Sequence, residues 1–187
     1  MSDKQLIIGL VGEKLAGKDT VAEYLVSKHG AAHFRFTHIL DAVLEELDMP
    51  ISRTNEITLG LSLRKVFGQH VLVNALEDRV RKSWATLIVV NGIRMDELEV
   101  VKSWGAHIIY VTAPVEVRFE RYTKRHEKAD DGAMDLESFK KQDQGPTELD
   151  IPELGKQADY KIENVGNYDE LYASVDKILN TIKQGQK

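Results

Sequence analysis

The apolar and polar positions along this chain follow two alternating periods. Short uninterrupted apolar runs, such as Leu6–Val11 and Thr86–Val90, have the length and β-branched content of strands that are buried on both faces. Longer segments between such runs, for example Thr20–His29, carry apolar residues at helical spacing. Strands that alternate with helices predict an α/β fold built on a parallel sheet.

The same patterning predicts the remaining elements. Three further strands are predicted near His33–Phe36, Ile108–Val111 and Tyr160–Ile162. Helices are predicted at Ile39–Leu47, in two pieces across residues 51–82 that break near Gly68, from Pro114 onward, and after the capping sequence Asn167–Glu170. Residues 126–150 are polar and have no sustained apolar period, so their composition favours a solvated surface excursion. The alternative is a mobile lid, because the segment follows an arginine-rich helix.

Composition narrows the class of protein. With 42% hydrophobic and 29% charged residues among 187, the chain resembles soluble globular proteins, and we expect a single domain. The net charge of −5 argues against a nucleic-acid polymer as partner, because phosphate backbones select basic surfaces. The absence of cysteine excludes disulfides, thiolate zinc sites and cysteine nucleophiles.

No apolar run suits a membrane span or the core of a signal peptide. We therefore expect a cytoplasmic protein without a membrane partner. The sequence leaves both a monomer and a homodimer open.

The strongest chemical signal is a glycine-bounded loop between the first strand and the first helix. Its spacing is G-x4-G-K, and its residues are Gly12, Glu13, Lys14, Leu15, Ala16, Gly17, Lys18, Asp19 and Thr20. Such a loop points its N–H groups inward at a helix N-terminus and holds polyphosphates there. We therefore predict ATP binding, with Lys18 reaching the β- and γ-phosphates and a hydroxyl helping to seat Mg²⁺. The alternative is a strand–helix turn that carries a surface lysine.

The loop departs from the usual pattern at one position. Asp19 follows Lys18 directly, where Ser or Thr is usual, and the hydroxyl comes one residue later at Thr20. Small-molecule and nucleotide kinases tolerate this change better than switch-type ATPases and GTPases do. We therefore assign both Thr20 and Asp19 as candidate metal residues.

Polar residues also follow the Thr86–Val90 strand. In an open parallel sheet, ligands bind at the carboxyl ends of the strands. Asn91 is therefore a candidate to face the Mg²⁺ shell, and Arg94 is a candidate to clamp a phosphate. The alternative is a strand-ending turn, for which Asn-Gly is well suited.

The helix that starts at Pro114 carries Arg118, Arg121 and Arg125 on one face. Three guanidinium groups repel one another unless an anion satisfies them. Neighbouring glutamates could do so, namely Glu116, Glu120 and Glu127. Because phosphoryl transfer needs cations around the migrating group, we favour a catalytic role for Arg121 and Arg125.

Together these residues resemble the nucleoside monophosphate kinase group of P-loop kinases. The chain is more closely similar to the adenylate-kinase-related and deoxynucleoside monophosphate kinase-like proteins, whose motifs overlap with those of dephospho-CoA kinases. The loop from Gly12 to Thr20 matches G-x4-G-K-D/G-T. The other segments that resemble family motifs are Arg53-Thr-Asn55…Leu59-Gly60…Leu63-Arg64…Phe67-Gly68, Asn91-Gly-Ile-Arg94, Arg121-Tyr-Thr-Lys-Arg125 and Ala158-Asp159-Tyr160…Asn164.

The resemblance implies a three-layer α/β/α P-loop kinase fold with a five-stranded parallel sheet in the order 2-3-1-4-5. It also implies an acceptor-binding helical region at about 37–82 and a lid at about 126–150. Arg94, with Arg53 or Arg64, would hold the acceptor's phosphate, and Arg121 and Arg125 would close over ATP. Asn91 stands where the family commonly has a carboxylate, and we expect Asp19 to supply that missing charge.

The sequence therefore predicts an ATP- and Mg²⁺-dependent phosphotransferase with a small phosphorylated acceptor, a nucleoside or deoxynucleoside monophosphate. One alternative is a dephospho-CoA kinase, whose acceptor presents a hydroxyl group. The other is a nucleotide-binding regulatory protein without catalysis, which Asn91 keeps open.

Overall fold

The computed structural model describes residues 5–124, 134–145 and 148–185. Its centre is a parallel sheet of five strands: β1 (Leu6–Val11), β2 (Ala32–Arg35), β3 (Leu87–Asn91), β4 (His107–Thr112) and β5 (Tyr160–Glu163). The strand order is β2-β3-β1-β4-β5, so the predicted order is confirmed. Because β1 lies at the centre between β3 and β4, the segments that follow these three strands meet at one edge of the sheet.

Helices cover both faces of the sheet. Within the described residues they are α1 (Lys18–His29), α2 (Thr37–Glu46), α3 (Arg53–Phe67), α4 (Val71–Arg81), α5 (Met95–Ser103), α6 (Val115–Lys124), α7 (Leu136–Gln142), α8 (Ile151–Lys156) and α9 (Tyr168–Gly185). None of these described helices combines the length and the apolar character needed to cross a membrane.

The core forms two apolar clusters, one on each face of the sheet. Ile8 and Leu10 of β1 pack with helices α1 and α9, whereas Ile7 and Val11 pack with α2, α4, α5 and α8. Side chains alternate between the faces of a strand, so a continuous apolar run such as β1 supplies both clusters. This arrangement is the three-layer α/β/α architecture that the sequence predicted.

The predicted elements agree with the structure, with small shifts at their ends. Strand β1 has the predicted bounds, and α3 and α4 are the two helical pieces that break near Gly68. Helix α1 begins at Lys18, two residues before the predicted start at Thr20. Lys18, Asp19 and Thr20 therefore all lie on its first turn, where the helix dipole favours anions.

The segment predicted as a solvated excursion, residues 126–150, is only partly described. Residues 134–145 include helix α7, whose Phe139 is 1% exposed and packs against the rings of Phe119 and Tyr122. The expectation of a wholly solvated segment is therefore wrong for this part. The sequence does not reveal this burial, because one aromatic residue among charged neighbours does not form a repeating apolar pattern.

Candidate functional site

The glycine-bounded loop, residues 12–20, joins β1 to α1 in a backbone conformation that requires glycine at two points. Gly12 and Gly17 have φ values of +144° and +109°. A Cβ on Gly12 would lie 1.9 Å from the carbonyl oxygen of Val111, and one on Gly17 would lie 2.2 Å from Nδ2 of Asn164. Both glycines are therefore fixed by backbone angle and by close packing.

The loop ends at an open helix N-terminus. Gly17 is the N-cap residue of α1, and no side chain among the described residues caps it by a hydrogen bond. The Lys18 ammonium lies across the loop and donates to the carbonyl oxygens of Gly12 and Glu13, each at 2.8 Å. Burial lowers the pKa of Lys18 to about 8. A buried lysine beside a helix N-terminus is a strong site for a polyphosphate, because an anion restores the charge that burial disfavours.

Two residues that are distant from the loop in sequence, Asn164 and Arg121, form hydrogen bonds to its backbone. Asn164, which directly follows β5, donates from Nδ2 to the carbonyl oxygen of Ala16 at 2.9 Å. Arg121 on α6 donates to the carbonyl oxygens of Leu15 and Ala16 at 3.1 and 3.2 Å, and to that of Asn164 at 2.9 Å. Arg121 therefore contacts the backbone of the loop and is not among the described residues that line the cavity in front of it, so its catalytic role stays a prediction.

A cavity opens in front of the loop and extends to helix α3. One wall is the loop itself, with Gly12, Lys14, Lys18 and Asp19. The other walls include the carboxyl ends of β2 and β3, helices α2, α3 and α4, and the segment after residue 147. Their lining residues include Arg35, Leu40, Arg53, Glu56, Ile57, Gly60, Arg64, Leu72, Asn91, Arg94 and Glu148. The cavity therefore joins the phosphate loop to the predicted acceptor residues.

Asp19 and Asn91 meet at the junction of these walls. Asn91 is 3% exposed and donates from Nδ2 to Oδ1 of Asp19 at 2.7 Å, and Arg35 lies 3.6 Å from the same oxygen. Oδ1 of Asn91 is buried and has no hydrogen-bond partner among the described residues. Thr20 does not line this cavity in the described part of the chain.

This pair of residues fits a magnesium ion. Mg²⁺ is usually held by one or two carboxylates together with substrate phosphates and water, so it needs no cage made entirely of protein ligands. Asp19 supplies a carboxylate beside Lys18, and the unpartnered oxygen of Asn91 can accept a hydrogen bond from a metal-bound water. In the ranges that the structure describes, no group of three or more His, Asp or Glu side chains forms a separate metal site.

Arg53 and Arg94, both predicted to bind the acceptor, converge on one carboxylate. Nη2 of Arg53 lies 2.7 Å from Oε1 of Glu148, and Nη2 of Arg94 lies 3.3 Å from the same oxygen. Glu148 is 6% exposed, whereas the two arginine side chains are each 33% exposed. The arginines come from α3 and from the end of β3, so the fold brings together residues that are distant in sequence.

Arg64 has a different partner from the other two arginines. It forms an ion pair with Glu97, which is fully buried and also accepts a hydrogen bond from the backbone N–H of Arg94 at 2.7 Å. Glu97 thus caps helix α5 and links it to α3. Arg64 lines the cavity, but its contact with Glu97 fixes the position of α3 relative to the end of β3.

The described part of the predicted lid also contacts the phosphate loop. Lys14 donates to Oε1 of Gln142 at 2.7 Å and lies over the ring of Phe139. Burial lowers the pKa of Lys14 to about 8. Arg118 pairs with both carboxylate oxygens of Asp143, an anion that the sequence analysis did not identify. Helix α7 is therefore packed beside the loop.

The structure therefore brings most of the predicted site residues to one cavity. Lys18, Asp19, Asn91, Arg53 and Arg94 line it, Arg121 supports the loop, and Arg64 is tied to Glu97. Arg125 lies outside the described residues, and its role stays a prediction.

Sequence reasoning missed Glu148 and Arg35 as site residues. Arg35 ends β2, so the rule that sites gather at strand ends could have found it. Glu148 comes from a segment whose composition gave no signal.

The family comparison agrees with this geometry. Residues 8–143 match the family model described as AAA domain (AAA_18), which covers well over half of the chain, including most of β1 and the phosphate loop. The chain belongs to this AAA domain family. Membership is consistent with the predicted resemblance to P-loop nucleoside monophosphate kinase-like proteins, whose phosphate loop and sheet order this AAA-domain chain shares.

Two curated relatives differ from this AAA-domain chain in length. A UPF0200/UPF0201 protein of Archaeoglobus fulgidus is 26% identical over 179 residues, which cover 92% of the chain and 54% of the relative. Deoxycytidylate deaminase of Schizosaccharomyces pombe is 33% identical over 118 residues, which cover 62% of the chain and 32% of the relative. The chain thus spans about half of the first relative and about a third of the second.

Solved structures of two kinases share the fold. Shikimate kinase from Acinetobacter baumannii, in complex with shikimate, superposes with a TM-score of 0.61 at 19% identity. The superposition covers 98% of this AAA-domain chain and 96% of the kinase chain. Dephospho-CoA kinase from Campylobacter jejuni gives a TM-score of 0.58 at 16% identity. The superposition covers 97% of this chain and 98% of the kinase. The fold is therefore that of P-loop kinases.

Proposed function

We propose that this protein is an ATP- and Mg²⁺-dependent phosphotransferase whose acceptor is a nucleoside or deoxynucleoside monophosphate. The observation that carries the proposal is the single cavity with a phosphate loop on one wall and Arg53 and Arg94 on another. A protein that only binds a nucleotide needs the first wall and has no use for a second set of phosphate-binding cations. Two anion sites that face each other are what transfer between two phosphorylated substrates requires.

On the donor side, the loop and Lys18 would hold the β- and γ-phosphates of ATP. Lys18 would exchange its contacts with the carbonyl oxygens of Gly12 and Glu13 for contacts with phosphate oxygens. Asn164 and Arg121 would keep the loop rigid, so its N–H groups would already point at the phosphates before ATP binds. Preorganised donors of this kind stabilise the charge that spreads over the transferred group.

On the acceptor side, Arg53 and Arg94 would clamp the acceptor's phosphate. The apolar residues behind them, Leu40, Ile57 and Leu72, would contact the base or the sugar. Asp19 and Asn91 would hold the magnesium ion, which neutralises charge on the phosphates when it is bound. Little covalent chemistry is left for the protein, because alignment and charge stabilisation do most of the work.

Dephospho-CoA kinase activity is a second candidate. Glu148 favours it, because a carboxylate beside the phosphate loop could accept the proton of an attacking hydroxyl group. A third outcome is nucleotide binding without any transfer.

The first test measures ADP release with ATP and Mg²⁺ against all ribo- and deoxyribonucleoside monophosphates and dephospho-CoA. Deoxycytidylate is the first acceptor tested, because the name of the S. pombe relative, deoxycytidylate deaminase, includes it. We expect one or a few monophosphates to stimulate ADP release, and Lys18→Ala to lower the rate by about a hundredfold or more, the effect of losing a transition-state charge contact. Nucleotide binding with no active acceptor would contradict the proposal, and a response to dephospho-CoA alone would select the second candidate.

A further inference from the structure

The carboxylate of Glu148 interacts with several cations from separate elements of the fold. Its Oε1 contacts the guanidinium groups of Arg53 and Arg94 at 2.7 and 3.3 Å. Its charge also acts on both lysines of the phosphate loop and raises the pKa of Lys14 and of Lys18 against the stronger lowering by burial. Glu148 is therefore an anion that contacts two arginines directly and whose charge reaches two lysines, and we call these four residues, Lys14, Lys18, Arg53 and Arg94, the cation ring.

A phosphate group and this carboxylate compete for the same donors. Arg53 and Arg94 are the residues that the proposed function assigns to the acceptor's phosphate, yet in this conformation both point to Glu148. A bound phosphate beside the carboxylate would bring two anions into a site where Glu148 is 6% exposed and water screens them poorly. The two negative charges would repel each other, and Nη2 of each guanidinium group, which now contacts Glu148, would have to serve both anions.

We propose that Glu148 is an internal competitor for the acceptor's phosphate. Its carboxylate holds Arg53 and Arg94 in position until the acceptor binds, and it then gives up these contacts to the phosphate group. This proposal rests on the proposed function. It makes Glu148 a specificity-determining residue, because only an acceptor with a strong anion can displace it, and a nucleoside that lacks phosphate cannot.

The test uses Glu148→Gln, which keeps the size of the side chain and removes its charge. We expect the KM for the active monophosphate to fall about tenfold, since one opposing charge is removed, while kcat stays within about twofold. Binding of inorganic phosphate, measured by calorimetry without nucleotide, should tighten by a similar factor. A second variant, Glu148→Asp, keeps the charge but shortens the reach to Arg53, and we expect an intermediate effect.

The matched control is Glu153→Gln. Glu153 lies on α8, five residues along the chain, and its carboxylate pairs with Lys156 at 2.8 Å on the surface. Its removal changes the net charge by the same amount, and KM and phosphate affinity should not change. Thermal unfolding of all three variants shows whether they are folded.

Two results would overturn the proposal. A fall in kcat of about a hundredfold with an unchanged KM would make Glu148 a proton acceptor for a hydroxyl substrate. Unchanged kinetics together with unchanged phosphate binding would make it a purely structural partner of the arginines. Calorimetry also distinguishes failure of this proposal from failure of the proposed function. If no acceptor is active with the wild-type protein, the proposed function fails. The phosphate affinity of Glu148→Gln still tests whether Glu148 competes with phosphate.

Discussion

At the scale of single residues, Asp19 places a carboxylate beside the lysine of the phosphate loop. It occupies the position next to Lys18 where a hydroxyl is usual, and its carboxylate accepts a hydrogen bond from Asn91 at 2.7 Å. The amide at position 91 and the carboxylate at position 19 therefore form one polar pair. A carboxylate therefore lies beside the end of β3, although it comes from the start of α1.

Replacement of Asp19 by Asn should raise the Mg²⁺ concentration needed for half-maximal ADP formation by about tenfold, because a carboxylate contributes more than an amide to a hard cation. The assay is turnover against Mg²⁺ concentration at saturating ATP. Glu23→Gln, which removes an exposed carboxylate from the same helix, is the control. An unchanged Mg²⁺ requirement in Asp19→Asn would show that Asp19 does not act on the metal.

The residue scale is also where prediction from the sequence was least complete. Lys18 and Arg94 follow strands, and the rule that parallel strands gather ligands at their carboxyl ends places both in the cavity. The contact between Arg94 and Glu148 spans 54 positions of sequence, and that between Arg53 and Glu148 spans 95. No local pattern encodes such a contact, because it depends on how α3 and the segment after residue 147 fold back on each other.

At the scale of elements, the loop depends on β5 and α6 as much as on β1 and α1. Asn164 and Arg121 bond to its backbone from behind, and Asn164 also closes the space beside Gly17. The loop therefore has little freedom to take a different shape. Its geometry is a property of the packed elements and not of its nine residues alone.

Gly17→Ala should weaken ATP binding by about a hundredfold or more, because the new Cβ would lie 2.2 Å from Nδ2 of Asn164 and would displace the loop. Calorimetric titration with ATP measures the affinity. Gly105→Ala is a matched control, since Gly105 also has a positive φ of +82° but nothing lies within 4 Å of its Cβ position. Equal losses of affinity in both variants would mean that general backbone strain, and not the contact with Asn164, is responsible.

Most elements were predictable because their apolar periods are long. The strands β1, β3 and β4 each contain a continuous apolar run, and α9 has a regular apolar stripe. Helices α7 and α8 have seven and six residues, which is less than two turns, so neither shows a helical period. Their buried residues, such as Phe139 and Leu154, are recognisable only from the packing that surrounds them.

At the scale of the whole molecule, charge is distributed unevenly. The chain has a net charge of −5, yet the cation ring and Arg35 line a single cavity. An acidic exterior repels polyanions such as nucleic acids, while the basic cavity accepts a small anion that fits inside. This distribution supports the small phosphorylated acceptor that we propose.

Nucleotide affinity should depend on pH above 8. Lys14 and Lys18 have pKa values of about 8, lowered by burial, and bound phosphates raise them, so binding takes up protons once the pH exceeds 8. Between pH 7 and 8 the affinity should be nearly constant, because phosphate loses its last proton near pH 6, below this range. As the two lysines lose their protons, the affinity should fall by about tenfold or more by pH 9.5.

Calorimetry between pH 7 and 9.5 tests this dependence. Lys14→Arg keeps its charge throughout this range and should show a shallower fall than the wild type. An affinity that does not change across the range would contradict the assigned pKa values.

The contact between Asn164 and Ala16 has a consequence for how the protein is made. The two residues are 148 positions apart, so the phosphate loop leaves the ribosome long before the residue that supports it. During synthesis the first strand must wait for β3 and β4, its two neighbours in the sheet, and β5 is added to β4 later still. The donor site is thus among the last parts of the protein to mature, and a nascent chain cannot hold the loop in its final shape until β5 has been translated.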